Sequence, residues 1–526
     1  MERLYLRQDI IAQPLVLRWQ AWPQLLFPPT AALNVVGRHL KIMRSFVQAP
    51  QAHEAACRNP ALRSGPFLDA PAARKEEIRA LIEETERRQR GLLELTQAMA
   101  ALDKLLLDEA RGRSLEPLYA RVPEQLRGYV ELVYDTRNRP SVRFLEPLLY
   151  RGPAYDTSVQ GFALFPEAKD ARRFMLSTPL LPQEGQVELA LPFDAPAIDA
   201  LVRMKDEPGS REELEERLRV PAHQRELFRT FFTPEAPPKP DPVPAGRVRV
   251  RYFGHACILV ETGETSVLVD PVLRHGAPGE DSFTFSSLPA RVDHVVLTHA
   301  HSDHTALETL IALRGRTGTV HVPPGGGSLQ DPGLKPMLER LGFRDVRELG
   351  MLSPQQLGPG VTLTGLPFLG EHSDLDIRAK HVVLLEALGH RMMFATDARN
   401  VEPRMFEHVH RLIGDVRTLF VGLECEGAPL SWLYGPLMPE APERTADQGR
   451  RLNGSTSDMA MQLVRLFGVK EAFVYALGLE PWLTPVTGGA HGEHSLPVVE
   501  TRRFVETCRA EGIPSERLFL SKEIVL

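Results

Sequence analysis

Hydrophobic and polar positions divide the chain into two unlike parts. In the first, Leu33, Val36, Leu40, Met43 and Val47 recur at helical spacing. A longer, charged helical stretch follows, with the stripe Ile78, Leu81, Ile82, Leu92, Leu95, Met99, Leu102 and Leu106. Such a stripe predicts burial in a core or in a dimer contact, and Gly91 predicts a break in it. Runs 129–134 and 141–145 flank Thr136-Arg137-Asn138-Arg139-Pro140 and predict a strand, a turn and a strand. Strands are also predicted at 173–177 and 186–191, a helix at 197–204, and an aromatic loop at Trp19-Gln20-Ala21-Trp22-Pro23.

In the second part short β-type runs dominate. They fall at 247–252, 257–260, 266–269, 295–297, 320–322, 361–366, 381–386, 391–395 and 419–423. Helices are predicted at 305–313, 459–467 and 496–508, with strands at 472–475 and 518–520. Between the two parts lie Pro234, Pro237, Pro238, Pro240, Pro242 and Pro244. Such a run forms neither helix nor central strand and spaces domains apart. The expectation is an α+β chain: a mixed α/β domain at 1–233, a Pro-rich linker at 234–246 and a second domain at 247–526. Gly325-Gly326-Gly327 reads as a surface loop.

Composition narrows the classes. Over 526 residues, 43% apolar and 25% charged content is that of a globular protein with more than one domain. A net charge of −6 without a long basic run argues against nucleic acid as a partner. No apolar run is long enough to span a bilayer, and Met1-Glu2-Arg3-Leu4-Tyr5 does not open a signal peptide. Cys57, Cys257, Cys425 and Cys508 are scattered, form no CxxC pair and read as reduced thiols. The cytoplasm is the expected compartment.

The chemistry concentrates in Thr298-His299-Ala300-His301-Ser302-Asp303-His304, directly after the apolar run 295–297. His299 and His301, two apart, can hold one metal ion, while Asp303 and His304 turn to a second. Imidazole suits zinc, iron and copper, and added carboxylate favours harder ions. Further candidates also follow apolar runs: Asp270, Glu371 or His372, and Asp397. Strand ends meeting at one sheet edge would gather them.

These residues carry a resemblance. From about residue 247 the chain resembles the metallo-β-lactamase fold, an αββα sandwich with a dinuclear site at one edge. Its HxHxDH loop matches His299, His301, Asp303 and His304, its early structural aspartate matches Asp270, and its bridging aspartate matches Asp397. Zinc hydrolases of that fold usually supply a histidine where this chain has Gly370-Glu371-His372, and that pattern alone would select His372.

A second resemblance spans both domains. Leu4-Tyr5-Leu6-Arg7, Trp22-Pro23, Leu115-Glu116-Pro117-Leu118-Tyr119, Tyr252-Phe253-Gly254-His255-Ala256-Cys257 and 366–372 are similar to the diiron amino-acid β-hydroxylases that include the one of chloramphenicol biosynthesis. So are Gly427-Ala428-Pro429-Leu430 and Trp432-Leu433-Tyr434-Gly435-Pro436. The resemblance implies His299, His301 and Glu371 on one iron, Asp303 and His304 on the other, and Asp397 bridging. It makes Glu371, Asp397 and Glu424 the carboxylates on which the chemistry depends. Glu424 would orient a ligand or a water, or be an ordinary salt-bridged carboxylate.

The activity implied is O2-dependent β-hydroxylation of an aminoacyl thioester. The substrate would ride on the phosphopantetheine arm of a nonribosomal peptide synthetase thiolation domain, in antibiotic biosynthesis. Two iron ions, an external electron donor acting as redox partner, and a homodimer whose first domain covers the site are implied with it. His255 is a core histidine or a partner of a metal ligand. His491 and His494 are ligands or members of a solvated loop. Trp432 and Tyr434 line the substrate channel or simply pack. Two alternatives stand beside this one: a dinuclear zinc hydrolase cleaving a lactone, thioester or phosphodiester, and a non-enzymatic module that docks a carrier domain.

Overall fold

Short apolar runs in the second part of the chain pair into two seven-stranded sheets. The computed structural model describes residues 3–526 except 63, 171, 277–281 and 490, so the first two residues of the N-terminal reading and Ala490 of the 488–494 loop lie outside the described residues. One sheet runs, edge to edge, through Val346–Glu348, Thr317–Val322, Val292–Val296, Ser266–Val269, Ile258–Glu261, Arg249–Tyr252 and Lys522–Val525. Its first four strands are parallel. The other runs through Gln355–Gly358, Val361–Leu366, Val382–Ala387, His390–Phe394, Thr418–Gly422, Glu471–Tyr475 and Ser515–Arg517, and is parallel from His390–Phe394 onward.

The sheets face each other through Val250, Ile258, Val260, Val267 and Val296 on one side and Val361, Leu363, Val383, Phe394 and Phe420 on the other. Parallel strands need cover on both faces. Helices Pro403–Ile413, Ser457–Leu466 and Leu496–Ala510 cover the second sheet. Helix Leu307–Leu313, helix Leu334–Arg340 and much of the N-terminal part cover the first. The architecture is the αββα sandwich of the metallo-β-lactamase fold. Arg249 and Arg251 are therefore buried, and both bond Glu261 at 3.1 Å.

The N-terminal part is mixed. A four-stranded antiparallel sheet orders Trp19–Gln20, Ile10–Val16, Gln160–Pro166 and Val187–Leu189. Strands Val130–Tyr134 and Pro140–Phe144 form the expected hairpin. The charged stretch is two helices, Lys75–Arg88 and Arg90–Glu109, which break at Gln89 (φ −105°, ψ 26°), two residues before the expected glycine. Most of its stripe is spent inside the chain: Ile78, Leu81, Leu95, Leu102 and Leu106 are buried, and Ile82, Leu92 and Met99 are half-buried against the same cores. Residues 234–246 have neither helix nor strand.

Two strand expectations fail. Residues 173–177 form a turn, with Ser177 and Thr178 N–H both donating to Phe174 O, and Met175 N–H donating to Pro485 O. Its apolar residues Met175 and Leu176 pack in a core instead of a ladder. Residues 518–520 are not a strand either. Leu520 sits at φ 60°, which turns the chain between Ser515–Arg517 in one sheet and Lys522–Val525 in the other. Among the described residues no helix is long and apolar enough to cross a membrane.

Candidate metal centre

Strand direction gathers the candidate ligands. Ser266–Val269 and Val292–Val296 are parallel neighbours, so Asp270 and the histidine loop leave the first sheet at the same edge. In the second sheet His390–Phe394 and Thr418–Gly422 are parallel, and Val361–Leu366 runs the same way two strands over. The loops carrying Glu371, Asp397 and Glu424 therefore leave that sheet at one edge too.

Asp270 organises the inner half of the centre. Its Oδ1 accepts the Thr298 backbone N–H at 2.7 Å, and its Oδ2 accepts the Thr298 hydroxyl at 2.6 Å and His304 Nδ1–H at 2.9 Å. With its proton given to Asp270, the Thr298 oxygen accepts from His299 Nδ1 at 3.0 Å. One carboxylate thus fixes two imidazoles, and both turn Nε2 toward Asp397. His299 and His304 are fully buried, and neither Nε2 has a hydrogen-bond partner. They lie 3.5 and 3.1 Å from Asp397 Oδ2.

The outer half is built differently. His301 Nδ1 lies 3.2 Å from Glu371 Oε1, and its Nε2 lies 3.0 Å from the Tyr434 hydroxyl. His372 stacks on His301 with ring centroids 4.6 Å apart and places Nδ1 2.5 Å from Glu371 Oε2. The loop reaches this arrangement through left-handed backbone: Gly370, Glu371, Ser373 and Asp374 have φ of 73°, 62°, 53° and 56°. Such conformations persist only where surroundings over-determine them. A Cβ on Gly370 would meet Arg399 Cβ at 2.5 Å, so only glycine fits there.

His255 serves Asp303. Its Nδ1 accepts the Gly478 backbone N–H at 3.2 Å, which leaves the proton on Nε2, 3.2 Å from Asp303 Oδ2. Burial alone would push the Asp303 carboxyl up, but His304, His255 and His301 overcome it and hold the group well below the ordinary carboxylate range. Burial, then the neighbouring His304, His301 and His372, keep His299 well below the usual histidine value, so it is neutral and ready to ligate. His304 is the reverse. Burial lowers it, but Asp397, Asp303 and Asp270 raise it well above that value, so a metal entering there displaces a proton.

The donor set suits a metal pair. Ligand atoms of three groups lie within 4.8 Å of one another: His299, His301, Glu371 and His372; His255, Asp303 and His304; His299, His304 and Asp397. The third group joins the other two. Buried His299 Nε2, His304 Nε2 and Glu371 Oε2 make no hydrogen bond of good geometry and are the atoms a cation would satisfy. Mixed imidazole and carboxylate donors suit iron.

A cavity of ≈ 480 Å³ opens on this face. His301, Asp303, Glu371, Asp397 and Glu424 line it together with Phe67 and Trp432. Trp432 both lines the cavity and packs, stacked 5.5 Å from Phe174. Tyr434 does not line it; it is buried behind His301. Glu424, half-buried, has its carboxyl raised by that burial and bonded by His491 Nε2 at 3.3 Å. His491 therefore enters the cavity, whereas His494 is exposed. Neither joins a metal-ligating group among the described residues. The 64–67 segment and the Tyr434–His301 contact were not legible in the sequence. For Tyr434 the signal was its place in the 432–436 motif, and for Phe67 there was none.

Residues 5–237 match the diiron non-heme beta-hydroxylase N-terminal domain, and 265–425 the beta-lactamase superfamily domain. Over 100% of both chains, the protein is 38% identical to the 4-amino-L-phenylalanyl-[CmlP-peptidyl-carrier-protein] 3-hydroxylase of Streptomyces venezuelae. The chain belongs to the diiron β-hydroxylase family. The crystal structure of CmlA, a diiron β-hydroxylase from the same organism, superposes with a TM-score of 0.93 and covers 100% of both chains at 38% identity. A metal-dependent hydrolase of Rhizobium etli is 33% identical over only 14% of this chain and 30% of its own length. Family membership implies two iron ions.

Proposed function

We propose that the protein is an O2-dependent diiron monooxygenase that β-hydroxylates an amino acid held as a thioester on a carrier domain of a nonribosomal peptide synthetase. The observation that supports this most is the full-length similarity to a hydroxylase named for a carrier-bound substrate. His299, His301 and Glu371 would hold one iron and Asp303 and His304 the other, with Asp397 shared. Bound there, the iron pair supplies the reduction of dioxygen that places one oxygen atom on Cβ. Asp270, Thr298 and His255 hold the ligands in register, Glu424 with His491 positions water or substrate at the rim, and Phe67 and Trp432 keep the cavity dry.

Division at 234–246 leaves a domain at 1–233 whose 64–67 segment covers the centre. A redox partner delivers the electrons, the working form is a homodimer, and the compartment is the cytoplasm. In the test, anaerobically purified protein is assayed for metal and then for oxygen uptake with loaded carrier domains. About two spin-coupled irons per chain and a product one oxygen heavier are expected. Two zincs despite iron supply, with no oxygen uptake, would return the chain to the hydrolase alternative.

A further inference from the structure

The outer half of the centre is tied to the N-terminal part by a short path. Residues 35–40 form a π-helical turn, Val35–Leu40, between helices Pro28–Asn34 and Lys41–Gln48. Such turns re-aim side chains and recur at functional sites. Here the turn stacks His39 on Trp19, with centroids 3.7 Å apart and planes at 1°, and sends Arg38 inward. Arg38 is 9% exposed, and its Nη2 donates to Trp432 O and Leu433 O, each at 2.9 Å. Those are the last carbonyls of the helix Leu430–Tyr434, which have no acceptor role inside so short a helix.

The other end of that helix is held by Asp447, which accepts Ser431 N–H at 2.7 Å and its hydroxyl at 2.9 Å. Clamped at both ends, the helix aims the Tyr434 hydroxyl at His301 Nε2, 3.0 Å away. With His301 Nδ1 facing Glu371, metal capture through Nδ1 leaves the proton on Nε2, and Tyr434 is its acceptor. The phenol then fixes both the tautomer and the ring rotation of the ligand.

We propose that Tyr434 is a positioning residue for His301, and that Arg38 holds it in place, so that the N-terminal part sets the affinity of the iron bound by His301. This rests on His301 being an iron ligand, as proposed above. It assigns the N-terminal part a role in building the centre as well as covering it.

The test uses the full-length protein, anaerobic ferrous iron titration and Mössbauer spectra of the loaded ferrous state. Tyr434→Phe keeps the ring and its packing and removes only the hydroxyl. Iron affinity at one of the two sites is expected to fall about 10–100-fold, with one of the two ferrous signals shifted and thermal unfolding as in the parent. Arg38→Lys keeps the tyrosine and loosens the clamp, and is expected to shift the same signal with a smaller loss of affinity. A tyrosine that merely packs would leave both readouts at parent values in Tyr434→Phe, and parent-like spectra in the two variants overturn the proposal. Two tight irons in His301→Ala would overturn the ligand reading, and the proposal with it.

Discussion

The inner and outer halves of the metal centre are held in opposite ways. His299 and His304 are set by Asp270 and Thr298, which come from adjacent parallel strands of the sheet that carries the histidine loop. His301 and Glu371 are set by groups from elsewhere. Tyr434 comes from the 430–434 helix, Arg38 from the N-terminal part, and the strained 370–374 backbone from the other sheet. The inner half is a property of one sheet. The outer half exists only once both sheets and the N-terminal part have assembled. Capture of the iron assigned to Asp303 and His304 should therefore survive loosening of the domain contact, and capture of the iron assigned to His301 and Glu371 should not.

The sharpest way to break this comparison is Asp270→Ala. It removes the acceptor for His304, the backbone anchor of Thr298 and, through its hydroxyl, the orientation of His299. Each iron takes one of those imidazoles, so affinity at both sites is expected to fall by about 100-fold. The measurement is iron retained after anaerobic dialysis. Loss at one site only would mean that the halves are less coupled by Asp397 than the 3.5 and 3.1 Å separations imply.

A smaller effect is expected from His255→Asn, chosen because His255 sits at φ 50°, where asparagine is tolerated. Asp303 loses its donor, and affinity is expected to fall by about 10-fold at the iron it serves, with the other unchanged. Stepwise ferrous titration separates the two. An equal loss at both sites would erase the distinction between the halves.

The smallest effect lies in the first sheet, away from the centre. His294 Nε2–H donates to Leu357 O at 3.0 Å, so its Nδ1 accepts His321 Nε2–H at 3.1 Å. Burial pushes His321 down to about 4 and also lowers His294. The unfolded chain therefore binds more protons between the unfolded value of about 6.5 and about 4. Stability is full above that window, falls as the pH drops through it and levels off below. Between pH 7 and 5.5 the loss is about 1 kcal/mol for His321. It is measured by denaturant unfolding of metal-free protein, where His321→Leu should flatten the slope. An unchanged slope would place the acid-sensitive groups in the centre instead.

Most of the sandwich was legible in the sequence. Strand 361–366 was read to its ends, and 266–269 likewise, because apolar runs buried on both faces leave an unbroken pattern. The ligand loops were legible for the same reason, since each follows such a run. What failed depended on remote partners. Residues 173–177 look like a strand until Pro485 captures their backbone, and 518–520 until Leu520 turns the chain.

By itself the sequence determined the αββα half, the HxHxDH loop and the family, because these reside in local periodicity and in motifs. Only the tertiary structure decided which histidine nitrogens face the carboxylates, that Tyr434 stands behind His301 rather than in the cavity, and that most of the stripe of the long helices is buried within the chain. Hydrogen-bond direction and burial are set by groups far apart in the chain, and no local pattern encodes which of them will meet.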